Sequence, residues 1–251
     1  MKHGEARAIV EQSCDEVLGN KTTPEAVQLA QAIGWLESKY GRAWTGAMLS
    51  SKNWGAMQCG GAWKGPYAVT RDSWTDKEGK VHWYESRYRV YGSDHDAAVD
   101  LVKLLAGGWG TRAIGALLRG DVEGFSRDLR AWRLEGGDPS NRLGYYEGSG
   151  ATPAIRERNH RAHVWEALIR METEIGGKLP GGIEVPPTLR PGATGLWVHR
   201  LRDALQLPAF GDFPAEQVRL YQEGHGLTAD GIVGPGTWGM LFAELGRGLV
   251  L

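Results

Sequence analysis

One glutamate stands where a carboxyl group could work as an acid: Glu37, in the stretch "GWLESKYG" covering 34–41. Helical spacing sets Ile33 and Leu36 beside it and Tyr40 near it, and apolar surroundings disfavour the charged form of a carboxylate. A free glutamate, with a reference pKa of about 4.3, has lost its proton by neutral pH. Burial would let Glu37 keep it. The residue also falls in the last turn of its helix, facing the negative end of the helix dipole, which acts in the same direction. A carboxyl still protonated near pH 7 can serve as a general acid. Other chemistries find less in the sequence. His160 and His163 fall near one helix face, but no HExxH or comparable ligand set accompanies them, so they read as surface histidines and no metal is expected. No Gly-x-Ser-x-Gly elbow or phosphate loop is present, and no cofactor is expected.

The element that must position Glu37 is a helix over "TTPEAVQLAQAIGWLESKYG". Thr22 or Thr23 is its N-cap, Pro24 lies in its first turn, and Gly41 follows as a stop. Ala26, Leu29, Ala30, Ile33, Leu36 and Tyr40 form the face that packs. Three more amphipathic helices are expected. "SDHDAAVDLVKLL" opens on a Ser93 and Asp96 capping pair, "DVEGFSRDLRAW" presents Val122, Phe125, Leu129 and Trp132, and "TPAIRERNHRAHVWEALIRM" presents Ile155, Ala162, Trp165 and Ile169. Between the first two, "AVTRDSWTDKEGKVHWYESRYRVY" alternates like a β-hairpin around the charged turn "DKEGK". A helical domain carrying one hairpin is α+β, with a cleft where the two parts meet.

Composition breaks at "GGKLPGGIEVPPTLRPGATG", residues 176–195, which is dense in glycine and proline. The expected organisation is therefore a catalytic domain over 1–175, a linker over 176–195 and a small three-helix module over 196–251. In that module Val198, Leu201, Leu205, Val218, Leu220, Leu227, Ile232, Trp238 and Leu241 suffice for a core, and Asp230, Gly231, Gly234 and Pro235 make the turn that opens its last helix. With 29 Lys and Arg against 30 Asp and Glu, the formal net charge of −1 removes the electrostatic case for nucleic acid. Cys14 and Cys59, the only cysteines, read as free thiols. The first twenty residues read as an amphipathic helix, not a secretory leader, and no stretch is long enough to span a membrane. A monomer without membrane insertion is expected.

The order "AQAIGWLESKYG", "NWGAMQ", a Trp63 to Gly65 "W.G", a hairpin ending in "YRVYGS", and later "GYYEG" resembles the lysozyme-like glucosaminidase family of flagellar and autolysin peptidoglycan hydrolases. That resemblance, over roughly residues 24 to 170, implies a lysozyme-like domain that cleaves β-1,4 glycosidic bonds of the cell-wall glycan. Glu37 would protonate the leaving oxygen. The hairpin would supply a second carboxylate, and Asp72 in "VTRD", the nearest equivalent of the family's Thr-x-Glu, stands first among Asp72, Asp76, Glu78 and Glu85. Asn53, Trp54 and Gln58 would line the sugar cleft, and Tyr145 or Tyr146 would point into it. Arg89 and Tyr91 would anchor the base of the hairpin. Trp54 replaces the family's usual phenylalanine, and "GAMQ" leans toward the Gly-Leu-Met-Gln of lytic transglycosylases, which makes a muramidase or lytic transglycosylase on the same fold the first alternative. Inverting, retaining and substrate-assisted paths all stay open.

The segments "GATGLWVHRLRDALQL" and "VRLYQEGHGLTADGIVGPGTWGML" resemble a peptidoglycan-binding module built of two short repeats. The resemblance implies wall binding through Tyr221, Asp230 and Trp238, although "FGDFPAEQ" lacks the Gly-Pro-x-Thr turn in the first half. Together the two resemblances imply a modular hydrolase whose partner is the peptidoglycan glycan strand. Without a leader, it reads as a phage endolysin held in the host bacterial cytoplasm before release to the wall. The second alternative is a non-catalytic wall-binding or phage tail protein.

Overall fold

The computed structural model describes residues 1–43, 46–48, 50–75, 78, 80–107, 113–128 and 153–249. Helices dominate them and one antiparallel hairpin is the sheet, so the fold is α+β, as expected. The chain divides into two compact units, Met1–Trp109 and Gly110–Leu251.

The first unit opens with α1 (His3–Leu18), which buries Ala6, Val10, Cys14 and Leu18. Helix α2 (Pro24–Ser38) starts where the sequence indicates: Thr23 Oγ1 accepts the Ala26 N–H at 3.1 Å, and Pro24 occupies the first turn. It ends earlier than expected. Lys39 and Tyr40 already adopt left-handed backbone, with φ of 51° and 57°, and their N–H groups reach back to the carbonyls of Trp35 and Gly34. Gly41 extends the reversal at φ 72°, where a Cβ would stand 2.9 Å from the Lys52 carbonyl carbon. Ala26 through Gly34 are all buried, so α2 is the spine of the unit.

Strands β1 (Tyr67–Thr75) and β2 (Val81–Arg89) pair from Tyr67 opposite Arg89 to Thr75 opposite Val81, symmetrically about Glu78. The hairpin is anchored as expected: the Arg89 guanidinium donates to Asp100 Oδ2 at 2.5 Å, and the Tyr91 hydroxyl donates to the same oxygen. Asp100 lies on α3 (Asp94–Leu105), whose N-cap Ser93 accepts from the Asp96 N–H at 3.0 Å and whose Ala97, Leu101, Val102 and Leu105 are buried. Helix α1 packs on both α2 and α3. Cys14 and Cys59 are both free thiols.

The second unit holds α4 (Ile114–Arg119), a helical stretch from 122 to 128 with Val122 and Phe125 buried, α5 (Pro153–Ile175), α6 (Leu196–Ala204), α7 (Ala215–Gly224) and α8 (Pro235–Leu245). Leu129 and Trp132 lie outside the described residues. Helix α5 packs along α8, where Trp165 stacks on Phe242 with ring centroids 4.8 Å apart. A Cβ on Gly239 would stand 2.5 Å from the Ala162 carbonyl oxygen, so glycine sets how closely these helices approach.

This packing crosses the boundary expected at 175. Residues 176–195 also differ from the free linker of the sequence reading: Leu179 and Leu189 are buried, Leu189 pairs with Val233, and the Trp238 indole donates to Pro187 O at 2.8 Å. Glycine and proline remove helical periodicity, but the leucines between them still bury. Of the nine core residues expected in the module, Val198, Leu201, Val218, Trp238 and Leu241 are buried, Leu205, Leu227 and Ile232 are half-buried and Leu220 is 58% exposed, while Val233 and Phe242 join the core.

Candidate active site

Glu37 sits in the last turn of α2. The residue as a whole keeps some contact with solvent, but its Oε1 is sequestered and accepts no hydrogen bond among the described residues. An ionised carboxylate deprived of partners and water is costly. Burial accordingly pushes its pKa from the ordinary 4.5 up to about 8. Sequestration of one oxygen decides this, not the partial exposure of the remainder.

The loop that follows packs closely against the last turns of α2. Gly34, one turn before Glu37, has room for only a hydrogen: a Cβ there would meet the Trp54 ring at 3.2 Å and Leu101 at 3.3 Å. Trp54 therefore lies directly against the helix, fully buried, with its ring 5.0 Å from that of Tyr40 and its Nε1 donating to Asp94 Oδ1 at 3.0 Å. Ser38, next to Glu37, donates to Trp54 O at 2.7 Å and accepts the Gly41 N–H at 2.7 Å. Beneath, the Tyr40 hydroxyl meets His3 Nδ1 at 2.7 Å and the Gln31 amide at 3.1 Å. Tyr40 is thus a core residue whose hydroxyl is occupied by these partners.

Two expected sugar-contacting residues are corrected by this arrangement. Trp54 is 0% exposed and cannot present its ring to a sugar. Asn53, also 0% exposed, uses its amide to build the loop: Nδ2 donates to Met57 O and Arg89 O at 2.8 and 3.0 Å, and Oδ1 accepts the Met57 N–H at 2.8 Å. Both build the loop after α2 and present nothing to a sugar. Gln58 is different. It remains partly exposed and its Nε2 donates to the Tyr88 hydroxyl at 3.3 Å.

Asp72, at the middle of β1, shares a hairpin face with Thr70 and Tyr88. Its Oδ1 accepts from the Thr70 hydroxyl at 3.0 Å and its Oδ2 from the Tyr88 hydroxyl at 2.9 Å. Burial first, and then the adjacent Asp72 carboxylate, push the Tyr88 phenol up to about 12, so it stays a donor at any working pH. Gln58, Tyr88 and Asp72 form a hydrogen-bonded line that orients the carboxylate. Glu85 lies on the opposite, exposed face of β2, across from Arg71, which removes it from this line. Tyr88 is the residue that sequence reasoning missed. Its signal was parity with Asp72 across a hairpin centred on Glu78. Asp76, Tyr145 and Tyr146 lie outside the described residues.

In the second unit Trp238 is 0% exposed, a core residue and not a wall contact. Asp230 is exposed but shapes the turn before α8: Oδ1 accepts the Ile232 N–H at 2.9 Å and the Gln222 amide at 3.1 Å, bonds that lower its pKa. Tyr221 donates to Glu244 Oε2 at 2.8 Å and stacks on His225, with burial and then Glu244 raising its pKa. His160 is buried in α5 and its pKa is depressed to about 4 by burial first and His163 second, which corrects its expected surface position. Among the described residues no cluster of His, Cys, Asp and Glu could hold a metal ion, and no helix is long and apolar enough to cross a membrane.

Residues 208–241 match the family model described as a peptidoglycan binding domain. A search of curated proteins gives no match. Among solved structures, the chain is similar to a C-terminally truncated glycoside hydrolase domain of FlgJ from Salmonella typhimurium, at 17% identity and TM-score 0.40 over 65% of this chain and 95% of that one. It is also similar to a peptidoglycan hydrolase mutant from Sphingomonas sp. A1, at 18% identity and TM-score 0.44 over 66% and 98%. A third is the catalytic domain of the autolysin Auto from Listeria monocytogenes, at 14% identity and TM-score 0.42 over 69% and 82%.

Proposed function

We propose that the protein hydrolyses β-1,4 glycosidic bonds of bacterial peptidoglycan, as an N-acetylglucosaminidase that is held to the wall by its C-terminal module. The observation that carries the reading is Glu37: a carboxyl group with a sequestered, unpartnered oxygen and a pKa near 8 is an acid at neutral pH. The matched segment at 208–241 supports the choice of polymer. In this mechanism Glu37 gives its proton to the leaving glycosidic oxygen as the bond lengthens. Asp72, oriented by Thr70 and Tyr88, stabilises the oxocarbenium-like sugar or activates the water that attacks it. Gln58 offers its amide to an acetamido group from the exposed end of the same line.

The bond is settled by mass spectrometry of fragments released from purified sacculi. Products whose reducing end, after borohydride treatment, is N-acetylglucosaminitol support the glucosaminidase. N-acetylmuramitol ends or 1,6-anhydro products point to the muramidase or lytic transglycosylase that "GAMQ" favours on the same fold, and absence of glycan fragments refutes glycosidase activity altogether.

A further inference from the structure

The residues first named for wall contact in the C-terminal module are Tyr221, Asp230 and Trp238, and all three are engaged in holding the module together. The surface a ligand could use lies elsewhere. The loop after α6 carries Phe210 at 85% exposure, the most exposed large apolar side chain among the described residues. Such exposure in an ordinary flexible loop would mean little, but this loop is built. The Arg202 guanidinium donates to three of its carbonyls: Nε to Pro208 O at 2.8 Å, Nη2 to Phe210 O at 3.0 Å and Nη1 to Asp212 O at 2.7 Å. His199 Nδ1 adds a fourth bond, to Ala209 O at 2.8 Å. Gly211 is required by the same arrangement, since at φ 141° a Cβ would stand 2.7 Å from Arg202 Nη2. Phe213, behind the tip, is buried and pins the return. A loop fixed in advance loses little entropy when something binds its tip.

The ring is not isolated. The His199 imidazole meets Phe210 edge-on with centroids 6.2 Å apart, and Leu196, one turn earlier on α6, is 61% exposed. A carbonyl can only accept, so the neutral His199 ring carries its proton on Nδ1. Its Nε2, without a partner among the described residues, is left as an acceptor on the ring that meets Phe210. Arg202, on α6, turns its guanidinium to the loop's own carbonyls, so those N–H groups are occupied. The platform therefore offers an exposed aromatic face and, on His199, a nitrogen that can accept from a hydroxyl. Those are the groups that meet the CH face and hydroxyls of a pyranose ring.

We propose that Phe210, with His199 and Leu196, is a glycan-stacking site through which the C-terminal module grips amino-sugar rings of the wall polymer. The proposal rests on the wall-binding reading of the module, whose matched segment begins at residue 208 and includes Phe210. The test is cosedimentation of the full chain with purified sacculi, and with glycan strands from which an amidase has removed the stem peptides. Phe210→Ser should weaken binding to both by roughly three- to tenfold, the worth of one aromatic stack, with an unchanged melting temperature. Phe210→Trp should retain it. If the wild type binds and Phe210→Ser binds equally well, the inference is overturned while the wall-binding reading stands. If the wild type binds sacculi but not stripped glycan, the stem peptide is the ligand and the glycan assignment is overturned. If the wild type binds neither, the wall-binding reading fails and takes this inference with it.

Discussion

The Glu37→Gln variant separates the electrostatic cost of the acid from the fold that imposes it. Glutamine keeps the shape and removes the ionisation. In the wild type, Glu37 titrates near 8 when folded and near 4.5 when unfolded, so between those values the folded chain holds a proton that the unfolded chain has released. Stability therefore falls as pH rises through that window and levels off above about 8. Each pH unit in the window is worth about 1.4 kcal/mol, which sets a ceiling of about 5 kcal/mol. Because Glu37 keeps some solvent contact, relaxation and water entry reduce this to an expected value on the order of 2 kcal/mol. For a unit of this size that corresponds to roughly 8 °C in melting temperature. The assay is thermal unfolding of wild type and Glu37→Gln from pH 5 to 8.5, read as the difference between the two at each pH. Other titrating groups cancel in the difference. The variant should gain on the wild type steadily as pH rises, and a difference that stays constant across the range would refute the sequestered acid.

Three further outcomes follow from the geometry. Asp72→Asn should lower the turnover of a soluble glycan by about a hundredfold or more, whereas Tyr88→Phe, which removes one donor to Asp72, should cost only about five- to tenfold; kinetics on both variants at matched folding check this order. Asn53→Ala breaks three buried hydrogen bonds in the loop against α2, so a loss of about 2 to 4 kcal/mol is expected in denaturant unfolding, with activity falling through misplacement of the loop. Gly239→Ala should destabilise the second unit by about 1 to 3 kcal/mol through overpacking against α5, visible as a lowered melting temperature with catalysis on soluble glycan unchanged.

Much of the scaffold was legible because its signals are local. Thr23, Pro24 and Ser93 announce helix starts through their own hydrogen-bonding habits, and the turn centred on Glu78 fixes the strand register by symmetry. The environment of Glu37 was legible in direction, since apolar neighbours at helical spacing predict a raised pKa. What the sequence could not reveal is which polar side chains the fold consumes. Asn53 has the amide a sugar cleft needs, and Trp54 the ring, but Gly34 admits the indole to the helix and turns both residues inward. Trp238 was lost to the core in the same way. Tyr88 was hidden because its role depends on a cross-strand partner sixteen residues away. The packing of α5 on α8 was equally nonlocal: nothing in the periodicity of either helix names the other, and the glycines and prolines between them suggested separation.

The most direct test of the central claim is the release of reducing sugar from purified sacculi by wild type and Glu37→Gln across pH 5 to 9.5. The account predicts that wild-type activity persists to neutral pH and falls as pH passes through about 8, the value to which burial raises Glu37, while Glu37→Gln, folded and still bound to the sacculi, releases nothing above background. Sugar release by a folded Glu37→Gln at the wild-type rate would contradict it.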